Sequence, residues 1–355
     1  VLLVTPVLKR LAIAAAGLFI FILALWLLKE GALGLKPLMA RLQVSGLVNA
    51  LGFGWLMAYL VLSGSPVAAV SLTLFGGRLL SSRETFAMIT GSRLGASFIV
   101  LFVGFIYWLR GQQRTASIST GILSLLVTAT IYLPAMMVGN ALLRSGWLDG
   151  MQMKPSGEVV SIFELVYDPI VDFLSTWLGL PNLALFALGM GVLLAAFHLF
   201  DKALPEIDPE SSRFSRIAEL VYRPIFMVLL GAGITTITLS VSVSLSLLVP
   251  LSAKGYIRRE NIIPYIMGAN VTTFIDTLLA ALLIPARSHE PSAFMIVLVQ
   301  MLSVTLVSLA VLVGPFYLRY QRLLGRVMEW IVGDNRTLAV FLGVIFVIPL
   351  ILLLV

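Results

Sequence analysis

The chain has 355 residues, 59% of them hydrophobic and 12% charged, with a mean hydropathy of +1.04. Soluble domains carry about 25% charged residues, so an ordinary soluble domain is excluded, and the long, non-alternating apolar runs point to an all-α polytopic membrane protein rather than a barrel. With no cysteine and only His198 and His289, there is no material for disulfides, thiolate metal sites or histidine-based catalysis; the net charge of +7 fits cytoplasmic Lys/Arg bias and calls for no nucleic acid.

Residues 11–28 follow Lys9 and Arg10 and lack a small-residue cleavage site, so they are read as a retained first span rather than a signal peptide. Residues 31–43, with Lys36 and Arg41, fit the interface. Residues 44–80 are apolar but broken by Ser63, Gly64, Ser65 and Pro66, and each arm is a bilayer long or shorter. Such an interruption predicts a re-entrant hairpin, two ordinary spans joined by a tight turn being the alternative. Gly76 and Gly77 read as a helix end. Residues 86–109 predict a span broken at Gly91–Gly95, and residues 117–143 cross again. In the linker 144–181, Glu164, Asp168 and Asp172 recur every four residues, which predicts an amphipathic surface helix. Residues 182–200 cross, with His198 at the interface beside Asp201, and a charged loop follows to Glu219. Residues 221–251 form a second apolar stretch, broken between Thr238 and Ser246, with Lys254, Arg258, Arg259 and Glu260 at its base. Residues 262–284 predict a broken span, 294–316 a further span, and 337–355 a last one. The six tryptophans fall mostly near predicted span ends, where an interfacial belt is the default.

The two halves match without gaps at an offset of 177 residues: Gly54 with Gly231, Leu62 with Leu239, Ser63 with Ser240, Ser65 with Ser242, Gly91 with Gly268. Hairpin, broken span and following span recur in the same order. The expected division is a first repeat over 1–143, the linker 144–181, a second repeat over 182–318 and an extra span in 319–355. Three crossings per copy place the second copy upside down, the inverted-repeat frame of many secondary transporters. Lys and Arg are denser on the side holding the N-terminus, Arg110, Arg114 and the stretches 213–223, 254–259 and 319–336. That side is expected to be cytoplasmic, in an inner (plasma) membrane, with the C-terminus outside.

Polar groups concentrate in GANVTTFIDTLLAALLI, residues 268–284, where an ionisable residue at bilayer depth costs roughly 2.5–3.5 kcal/mol and commonly faces a pathway. Serines at 240, 242, 244 and 246 can instead bond their own helix or pack closely, yet at a hairpin break they can equally present hydroxyls to an ion. No nucleotide loop, metalloprotease motif or nucleophile–base pair is visible, and no enzyme is expected.

Residues 236–283, with Pro250-Leu251, Gly255, Glu260, Pro264 and Gly268-Ala269-Asn270 in step, resemble the second repeat of the type II sodium/phosphate cotransporters, which carries a Q-S-S-S loop followed by G-[AS]-N-I-G-T-[TS]. Residues 62–97 resemble the first repeat more loosely. The resemblance implies alternating-access symport of phosphate or a related small oxyanion with sodium, no other cofactor, and a lipid-embedded chain for which a homodimer is an open assembly. It implies substrate contacts from Ser63, Ser65, Arg93, Ser240, Ser242, Asn270 and Thr273, and sodium contacts from Ser92, Ser244, Thr272 and Asp276. The family's glutamines are replaced by Leu62 and Leu239, one asparagine by Arg93, and the second motif's glycine by Thr272. Another anion, proton coupling, a channel, and a lipid-handling protein or membrane enzyme stay open as alternatives.

Overall fold

The computed structural model describes residues 4–41, 44–109, 114–146, 157–203, 223–253, 257, 259–284, 291–313 and 315–355. Among them the secondary structure is helical, with no strand. In chain order the helices are α1 (Val4–Gly31), α2 (Lys36–Arg41), α3 (Leu47–Val61), α4 (Gly64–Gly76), α5 (Ser82–Leu109), α6 (Arg114–Ser145), α7 (Gly157–Asp172) and α8 (Asn182–Ala203). There follow α9 (Pro224–Thr238), α10 (Val241–Ser246), α11 (Leu248–Ala253), α12 (Arg259–Thr272), α13 (Phe274–Leu282), α14 (Ala293–Val313), α15 (Tyr317–Gly333) and α16 (Asn335–Leu354). Seven helical stretches of the described residues are long and apolar enough to cross a membrane: α1, α5, α6, α8, α12 with α13, α14 and α16. The protein is an all-α polytopic membrane protein.

The 15-residue helices α3 and α9 are too short to cross. At 1.5 Å per residue each reaches about 22 Å, against a hydrocarbon core of about 30 Å. Each ends on a leucine in left-handed backbone, Leu62 (φ 53°) and Leu239 (φ 49°), followed by a serine in extended backbone that opens the next helix. A left-handed non-glycine residue is strained by of order 1–3 kcal/mol. That strain recurs at the same offset of 177 residues.

The helix crossings repeat as well. A Cβ on Gly54 would collide with the Met88 carbonyl, and one on Gly231 with the Tyr265 carbonyl; Gly91 faces the Leu51 carbonyl and Gly268 that of Val228. Small residues let helix backbones approach where lipid supplies no hydrophobic drive. Thus α3 lies on α5, and α9 on α12, through the same pair of glycines.

Several expectations are corrected. The predicted break at Gly91–Gly95 does not occur: α5 is one helix of 28 residues. Gly91 and Gly95 lie four apart and so share a face, which packs against α3 at Leu51, Trp55 and Ala58, while the Ser92 hydroxyl bonds its own helix at the Ile89 carbonyl, 2.8 Å. The glycines serve close approach rather than interruption. The second predicted break does occur, at Thr273 between α12 and α13. The region before the last span, expected to be a basic loop, is the amphipathic helix α15.

Trp55 is buried at the α3–α5 crossing, and Trp26 is buried with its Nε1 donating to Asp168 Oδ1 at 2.9 Å. Trp177 and Trp330 are exposed. The acidic helix α7 forms as predicted, but it rests on α1 through Tyr167 and Val171. Helix α4 ends at Gly76. Lys254, Arg258, Trp147 and the loop 204–219 lie outside the described residues, as do the side chains of Glu260, Asp201 and Trp108.

Helix α16 covers the outer face of α3. The Asn49 side-chain amide donates to the Leu353 carbonyl at 3.1 Å and the Tyr59 hydroxyl to the Ile345 carbonyl at 3.0 Å.

Replacing Gly91 or Gly268 by valine should destabilise the fold at or above the 1–3 kcal/mol typical of overpacking, because the obstacle is backbone. Gly233→Ala, where a Cβ meets nothing within 4 Å, should be neutral by comparison. Thermal unfolding of the purified variants in detergent checks this ordering.

Candidate functional site

Two features bring the chemistry together, one buried and one open to the surface. The first is an ion pair between the halves of the chain. Arg93, on α5 and only 2% exposed, lies with its Nη2 3.6 Å from Asp276 Oδ1 on α13. Hydroxyls complete the shell. Arg93 Nη1 donates to Ser65 Oγ at 3.2 Å and to Thr273 Oγ1 at 3.1 Å, and Nη2 donates to Thr277 Oγ1 at 2.5 Å. Thr277 relays the contact: its hydroxyl donates to Asp276 Oδ1 at 2.9 Å and its N–H to the same oxygen at 2.6 Å. The guanidinium also lies 5.0 Å from the Phe274 ring centre, within cation–π range.

Local sequence explains why a carboxylate can sit here. The interruption at Thr273 starts a new helix, and Asp276 falls in its first turn. The positive end of a helix dipole favours negative charge there. On the other side, Gly64 lets the tip of the first hairpin settle over Arg93. A Cβ on Gly64 would come within 2.9 Å of Ala96 Cβ and of the Ser92 carbonyl oxygen, and 3.5 Å from Arg93 Nη1. Two atoms of the pair, Arg93 Nε and Asp276 Oδ2, are buried without a protein hydrogen-bond partner among the described residues.

The second feature is a cavity of about 520 Å³ where the two hairpin tips face each other. Ser63 lines it from the first tip and Ser240, Ser242 and Ser246 from the second, with Ile99 of α5 and His198 of α8 among the other walls. Ser63 makes no side-chain capping bond, whereas the Ser240 hydroxyl accepts from the Val243 N–H at 3.3 Å. Helix α4, 13 residues long, begins at this cavity.

The residues singled out from the sequence therefore separate into three groups. Ser63, Ser240 and Ser242 share the cavity. Ser65, Arg93, Thr273 and Asp276 share the ion-pair network. The other four bond elsewhere. The Asn270 side chain donates to Thr128 Oγ1 at 3.3 Å, and its carbonyl accepts from the Tyr132 hydroxyl at 2.9 Å. Thr272 donates to the Ala232 carbonyl at 2.9 Å, joining α12 to α9. Ser244 is buried in a hydroxyl cluster with Thr235 (2.7 Å) and Tyr265 (2.9 Å), and Ser92 bonds its own helix.

Sequence reasoning missed Thr277, although it adjoins Asp276 in the polar stretch. His198, read from the sequence as an interface residue, is exposed and lines the cavity. Sequence reasoning also passed over Gln300, an amide in the apolar helix α14, whose Nε2 donates to Thr90 Oγ1 at 2.9 Å. A lone amide in a run of apolar residues was the available signal.

Removing one member of a buried pair costs about 3–5 kcal/mol, because the other charge is left without compensation. Arg93→Leu and Asp276→Leu should each destabilise the protein by that order, and the double variant by clearly less than their sum. A double-mutant cycle on thermal or denaturant unfolding measures the coupling; additive losses would mean that the two side chains do not act as a pair.

No protein-family model matches the chain, and no curated protein or solved structure matches it.

Proposed function

We propose that the protein is a secondary transporter, built from two inverted-topology repeats, that moves a small oxyanion such as inorganic phosphate with a coupling cation by alternating access. The observation that carries this reading is the meeting of two strained helix breaks, each followed by a serine, at one cavity between the halves of the chain. Discontinuous helices placed this way supply N–H groups and hydroxyls to an anion and oxygens to a cation. The paired glycine crossings at a constant offset support the repeat. The resemblance to the sodium/phosphate cotransporters supports phosphate and sodium as first candidates, with the N-terminus in the cytoplasm.

In this reading Ser63, Ser240 and Ser242 contact the anion, and His198 adds a donor on the cavity wall. Arg93 stands behind the first tip, joined to it through Ser65. Its guanidinium offers five donors in a fork suited to an oxyanion, and its link to Asp276 holds it back. A cation arriving at Asp276 Oδ2 would compete for that carboxylate and free Arg93 for the anion. Hard cations take oxygen ligands, and Oδ2 is the carboxylate oxygen without a hydrogen-bond partner among the described residues. Coupling then follows from competition for one carboxylate.

The decisive experiment is uptake of labelled phosphate into proteoliposomes with and without an inward sodium gradient. Gradient-dependent uptake is expected; no accumulation of phosphate or of sulfate under sodium or proton gradients would sink the proposal. Ser63→Ala and Ser242→Ala should each weaken anion affinity by about 10- to 150-fold, the equivalent of a hydrogen bond to a charged group at roughly 1.5–3 kcal/mol. Asp276→Asn should leave anion exchange measurable and remove its dependence on the cation. Uptake that keeps its cation dependence in that variant would assign Asp276 to structure alone.

A further inference from the structure

Helix α15 carries a second polar site, remote in sequence from both hairpins. Its buried positions, Tyr317, Leu324, Met328 and Ile331, recur at helical spacing and rest on the bundle. On the opposite, exposed face runs a stripe formed by Arg319, Arg322, Arg326 and Glu329, at steps of three, four and three. Leu318 on one side of the stripe and Leu323 and Trp330 on the other are exposed at 63%, 57% and 69%. A helix between two spans, with a buried face and exposed basic and apolar residues on the other, has the composition of a helix at the membrane interface.

The stripe opens into a cavity of about 440 Å³, walled by Gln321, Arg322, Gly325 and Arg326 of α15, Leu123 of α6 and Ile263 of α12. Arg322 is held in place by its Nε, which donates to the Leu318 carbonyl at 3.1 Å. Among the described residues neither Arg322 nor Arg326 has a carboxylate within ion-pair distance. Glu329 also lines the cavity, so the same helix presents two guanidinium groups and one carboxylate to it. Gly325 stands between the arginines, and a Cβ there would meet nothing within 4 Å, so the space beside it is open.

We propose that this cavity binds the phosphate headgroup of an anionic phospholipid. Arginine forks match phosphate oxygens, and basic pockets between membrane helices suit such headgroups. The exposed Leu318, Leu323 and Trp330 on the same helix fix the source as lipid, because they put the cavity where headgroups lie rather than in open water. Ile263 belongs to α12, which leads to Thr273, so an occupied cavity would brace the interrupted span that carries Asp276.

The test uses the purified full chain in neutral detergent, with native mass spectrometry and thermal unfolding as readouts. Added phosphatidylglycerol should bind and raise the melting temperature, whereas phosphatidylcholine, inorganic phosphate and sn-glycerol 3-phosphate should not. Arg322→Gln/Arg326→Gln should weaken phosphatidylglycerol binding by about tenfold or more, the order expected when charge-assisted contacts to a phosphate are lost. Gly325→Leu, which keeps every charge and has room for its first carbon, should block binding by filling the cavity. Glu329→Gln should strengthen binding, since it removes a like charge. Arg336→Gln, outside the cavity, should change nothing. Equal stabilisation by inorganic phosphate would make this a site for a soluble anion and overturn the proposal. So would undiminished phosphatidylglycerol binding in both the arginine and the glycine variants.

Discussion

A charged side chain in the middle of an apolar helix bundle needs a partner, and the placement of Arg93 follows from that need. Roughly 2.5–3.5 kcal/mol opposes an unpaired charge at bilayer depth even on lenient scales. Arg93 meets this with Asp276 and three hydroxyls. Those partners come from the first hairpin and the second interrupted span, so the pair ties the two halves of the chain to each other. The interruption at Thr273 is part of the same arrangement, since it provides the helix start at which Asp276 is stabilised.

Around that centre the backbone is held close by glycine. The crossings of α3 on α5 and of α9 on α12 leave no space for a Cβ at Gly54, Gly91, Gly231 or Gly268. Close crossings fix where α3 and α9 end, and the chain then turns through left-handed leucines to begin α4 and α10. Glycine or asparagine would adopt that conformation with less strain. Leucine stands at both turns all the same, with Leu62 itself 48% exposed.

Much of this frame was legible in the sequence because it rests on local signals. Apolar length gave the spans, Ser-Gly-Ser-Pro and the serine run gave the two helix turns, and the left-handed leucines and close glycines recur at the constant offset. What failed depended on tertiary context. Gly91 and Gly95 read as a break because glycine weakens a helix, but a glycine pair on one buried face is also how two helices approach, and only the neighbour decides between the two. Trp55 lay near a predicted span end yet packs into the α3–α5 crossing. The four serines between Ser240 and Ser246 look alike in sequence. In the helix they project in different directions, so Ser242 reaches the cavity while Ser244 joins Thr235 and Tyr265. Helix α15 was hidden by its charge: mean hydropathy reads it as a loop, whereas the three- and four-residue recurrence of Leu324, Met328 and Ile331 marks it as an amphipathic helix.

The hairpin tip joins the cavity to the ion pair through three consecutive residues. Ser63 lines the cavity, Gly64 rests on α5 above Arg93, and Ser65 accepts from the guanidinium. A ligand can shift a conformational equilibrium only by its difference in affinity for the two states, so occupancy at Ser63 affects the pair only if the tip moves. The packing makes that movement discrete. Gly64 is seated against Ala96 and the Ser92 carbonyl, and a small lift of the tip would break the Ser65 bond and expose a face of Arg93 at once. The strained turn at Leu62 lies immediately before these residues. Strain of that kind lowers the cost of leaving the seated state, which is where a transporter's moving element would need to store it. The same logic applies less strongly to the second tip, where Ser240 is already committed to the Val243 N–H. In the proposed transporter this asymmetry would give the first hairpin the larger part in linking ligand to ion pair, although the two turns share one backbone geometry.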